Sequence, residues 1–115
     1  MDLFRHARDA ETYPAGTTLL REGTPGDRMF VVQEGEVAIA VGDHVLERVG
    51  PGGFFGEMAL IDHAPRSATA TAVTDVKVVP LDEHRFVRMI QDTPGFALQV
   101  MRGLARRLRE MDAHA

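Results

Sequence analysis

From Thr17 onward, short apolar and β-branched runs alternate with turn signals every few residues, the patterning of strands rather than of helices. "TTLLREG" stops at the Pro-Gly turn of "GTPGD", Gly23 to Asp27. "MFVVQ" starts at Met29, and "VAIAV" ends at Val41 after the turn "EGE", Glu34 to Glu36. "GDH", Gly42 to His44, turns into "VLERV", which ends at "GPGG". "ATATAV" and "VKVVPL" follow, separated by Thr74 and Asp75. About seven short strands at this spacing predict a sandwich, jelly roll or small barrel.

Past Leu81 the period changes. "DEHRFVRMIQD" predicts a helix with Asp82 at its N-cap and an acidic first turn that suits the helix dipole. Thr93-Pro94-Gly95 breaks it, and a second helix is expected from about Phe96 to Met111. Leu3 to Arg8 has room for one short helical turn. The expected organisation is a single domain over residues 1–115, with a β-roll over about 12–81 and C-terminal helices over about 82–111.

Composition narrows the function more than the fold. The chain has 115 residues, enough for one real core, with 44% apolar and 26% charged residues. Eleven glycines and six prolines fit a chain of many turns. The absence of cysteine excludes disulfides and thiolate metal sites, and fits a cytoplasmic location. The N-terminus, with Asp2, Arg5, Arg8, Asp9 and Glu11, carries no apolar signal segment. No apolar run approaches the roughly 18 residues that span a bilayer. A net charge of −4 argues against binding nucleic acid through a broad basic surface. Lys77 is the only lysine, so the positive charge is nearly all arginine.

The stretch "GGFFGEMALI", from Gly52, is built to hold a ligand. Gly52 and Gly53 are expected to end a strand, and Gly56 lets backbone come close to a ligand. Glu57 to Ile61 are adequate for a turn or two of helix, whose free N–H groups favour an anion. Arg66 is the counter-charge, because its planar fork takes two phosphate oxygens at once. Glu57 beside an anion makes sense if its carboxylate accepts a hydrogen bond from a sugar hydroxyl. An arginine for phosphate and a glutamate for ribose describe a site for a small ribonucleotide. The plainer alternative is a barrel loop in which Arg66 pairs with Glu57 as a structural bridge. Met58, Leu60 and Ile61 read as core, Phe54 and Phe55 as alternating between barrel and pocket rim, and His63 as exposed.

"FGEMALIDHAPRSATATA", Phe55 to Ala72, resembles the phosphate-binding cassette of cyclic nucleotide-binding domains. Its pattern is Phe-Gly-Glu-x-Ala-Leu, a short loop, then Pro-Arg-x-Ala-Thr. "LLREGTPGDRMFVVQEGEVAIAV" is similar to the family's earlier strands, with the Glu-Gly-x-x-Gly-Asp turn and a glycine at Gly35. The resemblance covers essentially the whole chain. It implies an eight-stranded β-roll or jelly-roll barrel flanked by a short N-terminal helix, a short cassette helix and two C-terminal helices. It implies that Glu57 holds the ribose 2′-hydroxyl and Arg66 the cyclic phosphate, with backbone amides of Gly56, Ala59 and Ser67, beside Met58, completing the site. The ligand implied is cAMP, with cGMP weaker by only a modest factor, because Ser67 stands where a hydroxyl can hydrogen-bond the guanine amino group. Binding in the family moves the C-terminal helices, an allosteric output used in signal transduction.

Other chemistries find less support. The histidines at 6, 44, 63, 84 and 114 include no His-x-His or His-x-x-x-His pair, so no metal site is expected. No P-loop or nucleophile elbow occurs, and a phosphodiesterase using Glu57 and Asp62 would lack a metal or an activated water. The chain is expected not to be an enzyme. Arg102, Arg106, Arg107 and Arg109 on the last helix read as a solvated face, with a cap over the purine or contact with an acidic partner as alternatives. Ala97, Met101, Leu104, Leu108 and Met111 form a seam suited to a homodimer contact, while Phe96 and Val100 form a second stripe for packing. Leu104 and Leu108 are the candidates for the purine cap. No helix-turn-helix follows, so direct nucleic-acid binding is not expected, and without a spanning apolar run neither is a membrane partner. A start at Met1 permits a stand-alone protein. The alternative is a sensor excised from a channel, kinase or transcription regulator, whose effector is unknown.

Overall fold

The computed structural model describes the backbone of residues 2–113 and the side chains of residues 3–110. The chain divides into two compact units, one running to Glu83 and one starting at His84. The first is mainly β. Its strands are β1 (Glu11–Tyr13), β2 (Thr18–Leu20), β3 (Arg28–Glu34), β4 (Val37–Val41), β5 (His44–Val49), β6 (Phe54–Phe55), β7 (Thr69–Ala72) and β8 (Val76–Asp82). They form two four-stranded sheets, β1-β8-β3-β6 and β2-β7-β4-β5, in which every pairing is antiparallel. This is the expected mainly β, eight-stranded roll.

Two strands escape a reading by periodicity because they are too short to show one. β1 has three residues, placed by pairing Glu11 with Val78 and Tyr13 with Val76. β6 has two, paired with Phe30 and Val31. The preceding strand ends at Val49, so Gly52 and Gly53 lie in the turn before β6 rather than at a strand end. Strand alternation builds the core elsewhere: along β8, Val76 and Val78 are buried while Lys77 between them is exposed. These valines pack with Phe30, Val32, Val37, Val49, Phe55, Ala70 and Ala72. At Gly35, between β3 and β4, φ is +88° and a Cβ would meet the Asp75 carbonyl and Thr74 Oγ1, so this turn admits only glycine. The N-terminal helix is shorter than expected, a single 3₁₀ turn at Asp2–Phe4. Gln33 Nε2 fastens the segment by donating to the carbonyls of Phe4 (2.8 Å) and Ala7 (3.1 Å).

The cassette helix, α1 (Met58–Ile61), follows β6. Two longer helices come last, α2 (Glu83–Asp92) and α3 (Gly95–Ala113). Asp82 immediately precedes α2, as a capping residue must. The break between the helices falls at Thr93-Pro94, where the Thr93 carbonyl accepts from the Phe96 amide at 2.9 Å. Phe86 and Phe96 meet edge to face, 5.5 Å between centroids. Along α3, Phe96 and Val100 are buried, whereas Met101 and Leu108 are 58% and 62% exposed. The two stripes read from the sequence are thus distinct in burial, with Ala97 and Leu104 intermediate. Met111 lies outside the residues whose side chains are described, as does His114. Among the described residues, no helix is long and apolar enough to cross a membrane.

Candidate ligand-binding site

The site is built from the cassette between β6 and β7 and from the loop between β2 and β3. β6 delivers the chain to Gly56, where φ is +80°. This left-handed residue turns the backbone sharply enough for Glu57 to stand at the N-cap of α1 directly after the strand. The Glu57 carbonyl accepts from the amides of Leu60 (3.0 Å) and Ile61 (3.2 Å), closing the turn. Ala59 and Leu60 are buried and anchor the helix on the roll.

Three side chains differ from the sequence-based expectation. Met58 and Ile61 are 39% and 49% exposed rather than core, because a single turn of helix buries only the face that carries Ala59 and Leu60. Phe54 and Phe55 do not alternate between core and rim. Both are buried, and Phe55 stacks on Phe30 with centroids 5.4 Å apart. α1 packs on β3 beside them, so neither face of this two-residue strand opens to water. His63 is exposed, as expected, and adopts φ +57°. Asp62 Oδ1 steadies the loop by accepting from the Ala64 amide at 3.0 Å.

Arg66 is fixed first through its backbone. Its amide donates to the Thr24 carbonyl and its carbonyl accepts from the Gly23 amide, both at 2.8 Å. The side chain then reaches back across the cassette, and Nη1 donates to the Gly56 carbonyl at 3.0 Å. Two glycines make room for it: a Cβ on Gly56 would lie 3.0 Å from Nη1, and one on Gly26 would meet Nε, Cζ and Nη2. Burial lowers the proton affinity of the guanidinium, Asp27 raises it, Arg28 lowers it and Glu57 raises it. Even so lowered, an arginine stays charged at any physiological pH.

Glu57 is the one charged residue buried among the described residues. A carboxylate withdrawn from water needs compensation, and the attraction between Glu57 and Arg66 contributes part of it. Arg66 Nη1 donates to a backbone carbonyl, while the Glu57 charge acts on the same guanidinium. Ser67, next along, is exposed. Gly56, Glu57, Met58, Ala59, Arg66 and Ser67 thus share one unit, while Leu104 and Leu108 belong to the other, Leu104 half-buried and Leu108 exposed. Among the described residues, no group of three or more His, Cys, Asp or Glu could hold a metal ion.

Sequence reading missed the part played by the loop from Arg21 to Asp27. It registered there as a turn, whereas the fold uses it as the brace of Arg66. The Glu22 amide also donates to Thr69 Oγ1 at 3.0 Å, joining this loop to the strand that follows the cassette. The available signal was the Pro-Gly-Asp turn itself, which places a residue without a side chain at position 26.

A two-sheet roll that presents an arginine fork beside a buried carboxylate defines a ligand-recognition domain. The chain belongs to the cyclic nucleotide-binding domain family, whose model matches residues 10–93. It is 48% identical over 88 residues to a cyclic nucleotide-gated potassium channel of Mesorhizobium japonicum, an alignment covering 76% of this chain and 24% of the channel. It is 37% identical over 102 residues to a CRP-like cAMP-activated global transcriptional regulator of Mycobacterium tuberculosis, covering 84% of this chain and 46% of the regulator. Among solved structures, the catabolite activator protein of Thermus thermophilus matches with a TM-score of 0.80 at 34% identity, over 91% of this chain and 52% of that one. The chain thus spans less than half the length of these two curated relatives.

Proposed function

We propose that this chain is a sensor that binds a cyclic nucleotide reversibly, with cAMP as the preferred ligand and cGMP weaker, and that it performs no catalysis. The observation that carries the reading is the Arg66 guanidinium, held at the Gly56 carbonyl beside the buried Glu57. In this reading Arg66 takes the cyclic phosphate through its remaining N–H groups, and Glu57 accepts from the ribose 2′-hydroxyl. Backbone amides of Gly56, Ala59 and Ser67, beside Met58, complete the pocket. The names of two relatives, one cyclic nucleotide-gated and one cAMP-activated, support the ligand class. Those relatives carry effectors as well, which supports an output delivered to a partner or an attached module in the cytoplasm.

The output proposed is movement of α2 and α3. Leu104 and Leu108 serve as a purine cap in the bound state, and the seam they share with Met101 becomes a homodimer contact when not so used. The exposure of Met101 and Leu108 favours a stripe available to a partner. Calorimetric titration with cAMP and with cGMP tests the central reading. Saturable binding of cAMP without appearance of AMP is expected, and absence of heat with both nucleotides overturns it.

A further inference from the structure

The two glycines that face Arg66 are not equivalent. Gly56 belongs to the cassette, has φ +80° and supplies the carbonyl that Nη1 binds. Gly26 lies outside the cassette, in the loop between β2 and β3, and its backbone is not in the left-handed region. Conformation therefore does not require glycine at position 26. Space does: the three atoms nearest to a Cβ there are Nε, Cζ and Nη2 of Arg66, all within contact distance. The guanidinium occupies the volume that a side chain at 26 would fill.

The surroundings determine what would yield if that volume were taken. The main chain of Arg66 is clamped to Gly23 and Thr24 by two 2.8 Å hydrogen bonds, so the backbones of loop and cassette stay in register. The guanidinium is the far end of a flexible side chain, and it alone can give way. A methyl group at 26 would push it off its place and break the 3.0 Å bond from Nη1 to Gly56.

We infer that Gly26 is a positioning residue: its missing side chain sets where the Arg66 fork stands, and so whether the fork meets a ligand phosphate in line. The inference rests on the proposed role of Arg66. A bidentate pairing is sensitive to displacement, because both N–H groups must reach their oxygens together. Gly26→Ala should therefore lower affinity through Arg66 while leaving the fold in place. Gly50 is the matched control, since its backbone is also outside the left-handed region and nothing lies within 4 Å of a Cβ there.

Arginine Nε–H NMR on the ligand-free protein and calorimetric titration with cAMP test this together. The Arg66 resonance is identified by its loss in Arg66→Lys. In Gly26→Ala that resonance should move while the melting temperature without ligand stays near wild type, and cAMP affinity should fall at least tenfold. Added to Arg66→Ala, the same substitution should cost nothing further. Gly50→Ala should change none of these. An unmoved resonance overturns the inference, as does unchanged affinity in Gly26→Ala or an equal loss in the Arg66→Ala background. A wild-type chain that binds no cyclic nucleotide sinks the proposed function instead, and the ligand-free resonance then decides by itself whether Gly26 holds Arg66.

Discussion

Arg66 donates from Nη1 to the carbonyl of Gly56 at 3.0 Å, joining the two ends of the cassette across ten residues. The bond holds the fork extended along the loop before any ligand arrives. A guanidinium already in place loses less side-chain freedom on binding, so more of its interaction with an anion appears as affinity. Glu57, next to Gly56, is buried at the same turn, so the two charges are delivered together by one local conformation.

The first prediction concerns these charges. Hydrogen bonds to charged groups contribute about 1.5–3 kcal/mol each. Arg66→Ala should weaken cAMP binding at least tenfold through the phosphate, and Glu57→Ala likewise through the ribose. Ligand at about 100 times its dissociation constant should stabilise wild type by about 2.7 kcal/mol. A thermal-shift assay checks this, and equal ligand-induced shifts in wild type and both variants would reject the assignment.

Gly56→Ala should be damaging without ligand as well. An ordinary residue in the left-handed region costs about 1–2 kcal/mol, and here φ is +80°. The new Cβ would also crowd Nη1 of Arg66 at 3.0 Å and Leu20 Cδ1 at 3.1 Å. Urea unfolding of the ligand-free protein should show a loss of at least that size, and an unchanged midpoint would contradict the strained turn.

Ser67 follows Arg66 in the chain and is exposed. Competition binding should find cAMP preferred over cGMP by a modest factor, and Ser67→Ala should widen that factor by removing the bond to the guanine amino group. Tighter binding of cGMP than of cAMP by wild type would overturn the preference.

The stripes of α3 predict a separation of effects. Val100 is buried, so Val100→Ala should cost about 1.5 kcal/mol in lost burial. Leu108 is 62% exposed, and Leu108→Ala should fall within about 0.5 kcal/mol of wild type. If Leu104 and Leu108 serve the seam, Leu104→Glu should lower the mass seen by light scattering in one ligand state. The same mass in both states for variant and wild type would remove the dimer contact.

Tyr13 is the only tyrosine, so an absorbance titration reports on it alone. Its hydroxyl donates to Glu11 Oε1 at 2.8 Å. That bond, then burial and the Glu11 charge, push its pKa above the usual 10.0, against the opposing pull of Arg28. A raised value means the neutral phenol is favoured by folding. This stability is present below the unfolded value and is lost as pH rises through the folded one. The midpoint should lie above that of free tyrosine and fall in Glu11→Ala, which removes both acceptor and charge, and a midpoint unaffected by Glu11→Ala would discount the bond.

Much of this molecule follows from its sequence alone, because the signals involved are local. Alternating runs such as Val76 to Leu81 state a strand whose faces differ in burial, and Thr93-Pro94-Gly95 states a helix break. The cassette was legible for the same reason: Gly56, Glu57 and Arg66 sit close in sequence, and each residue type limits the chemistry it can perform. The tertiary structure decided what depends on distant neighbours. β1 and β6 exist only through their pairing partners, since two or three residues carry no period. Phe54 and Phe55 are both buried and Met58 is exposed because burial depends on what packs against a residue, not on its own hydrophobicity. The brace of Arg66 spans forty residues, from Gly26 to Arg66, and no local pattern reports a contact that a loop makes only once the sheets have brought it there.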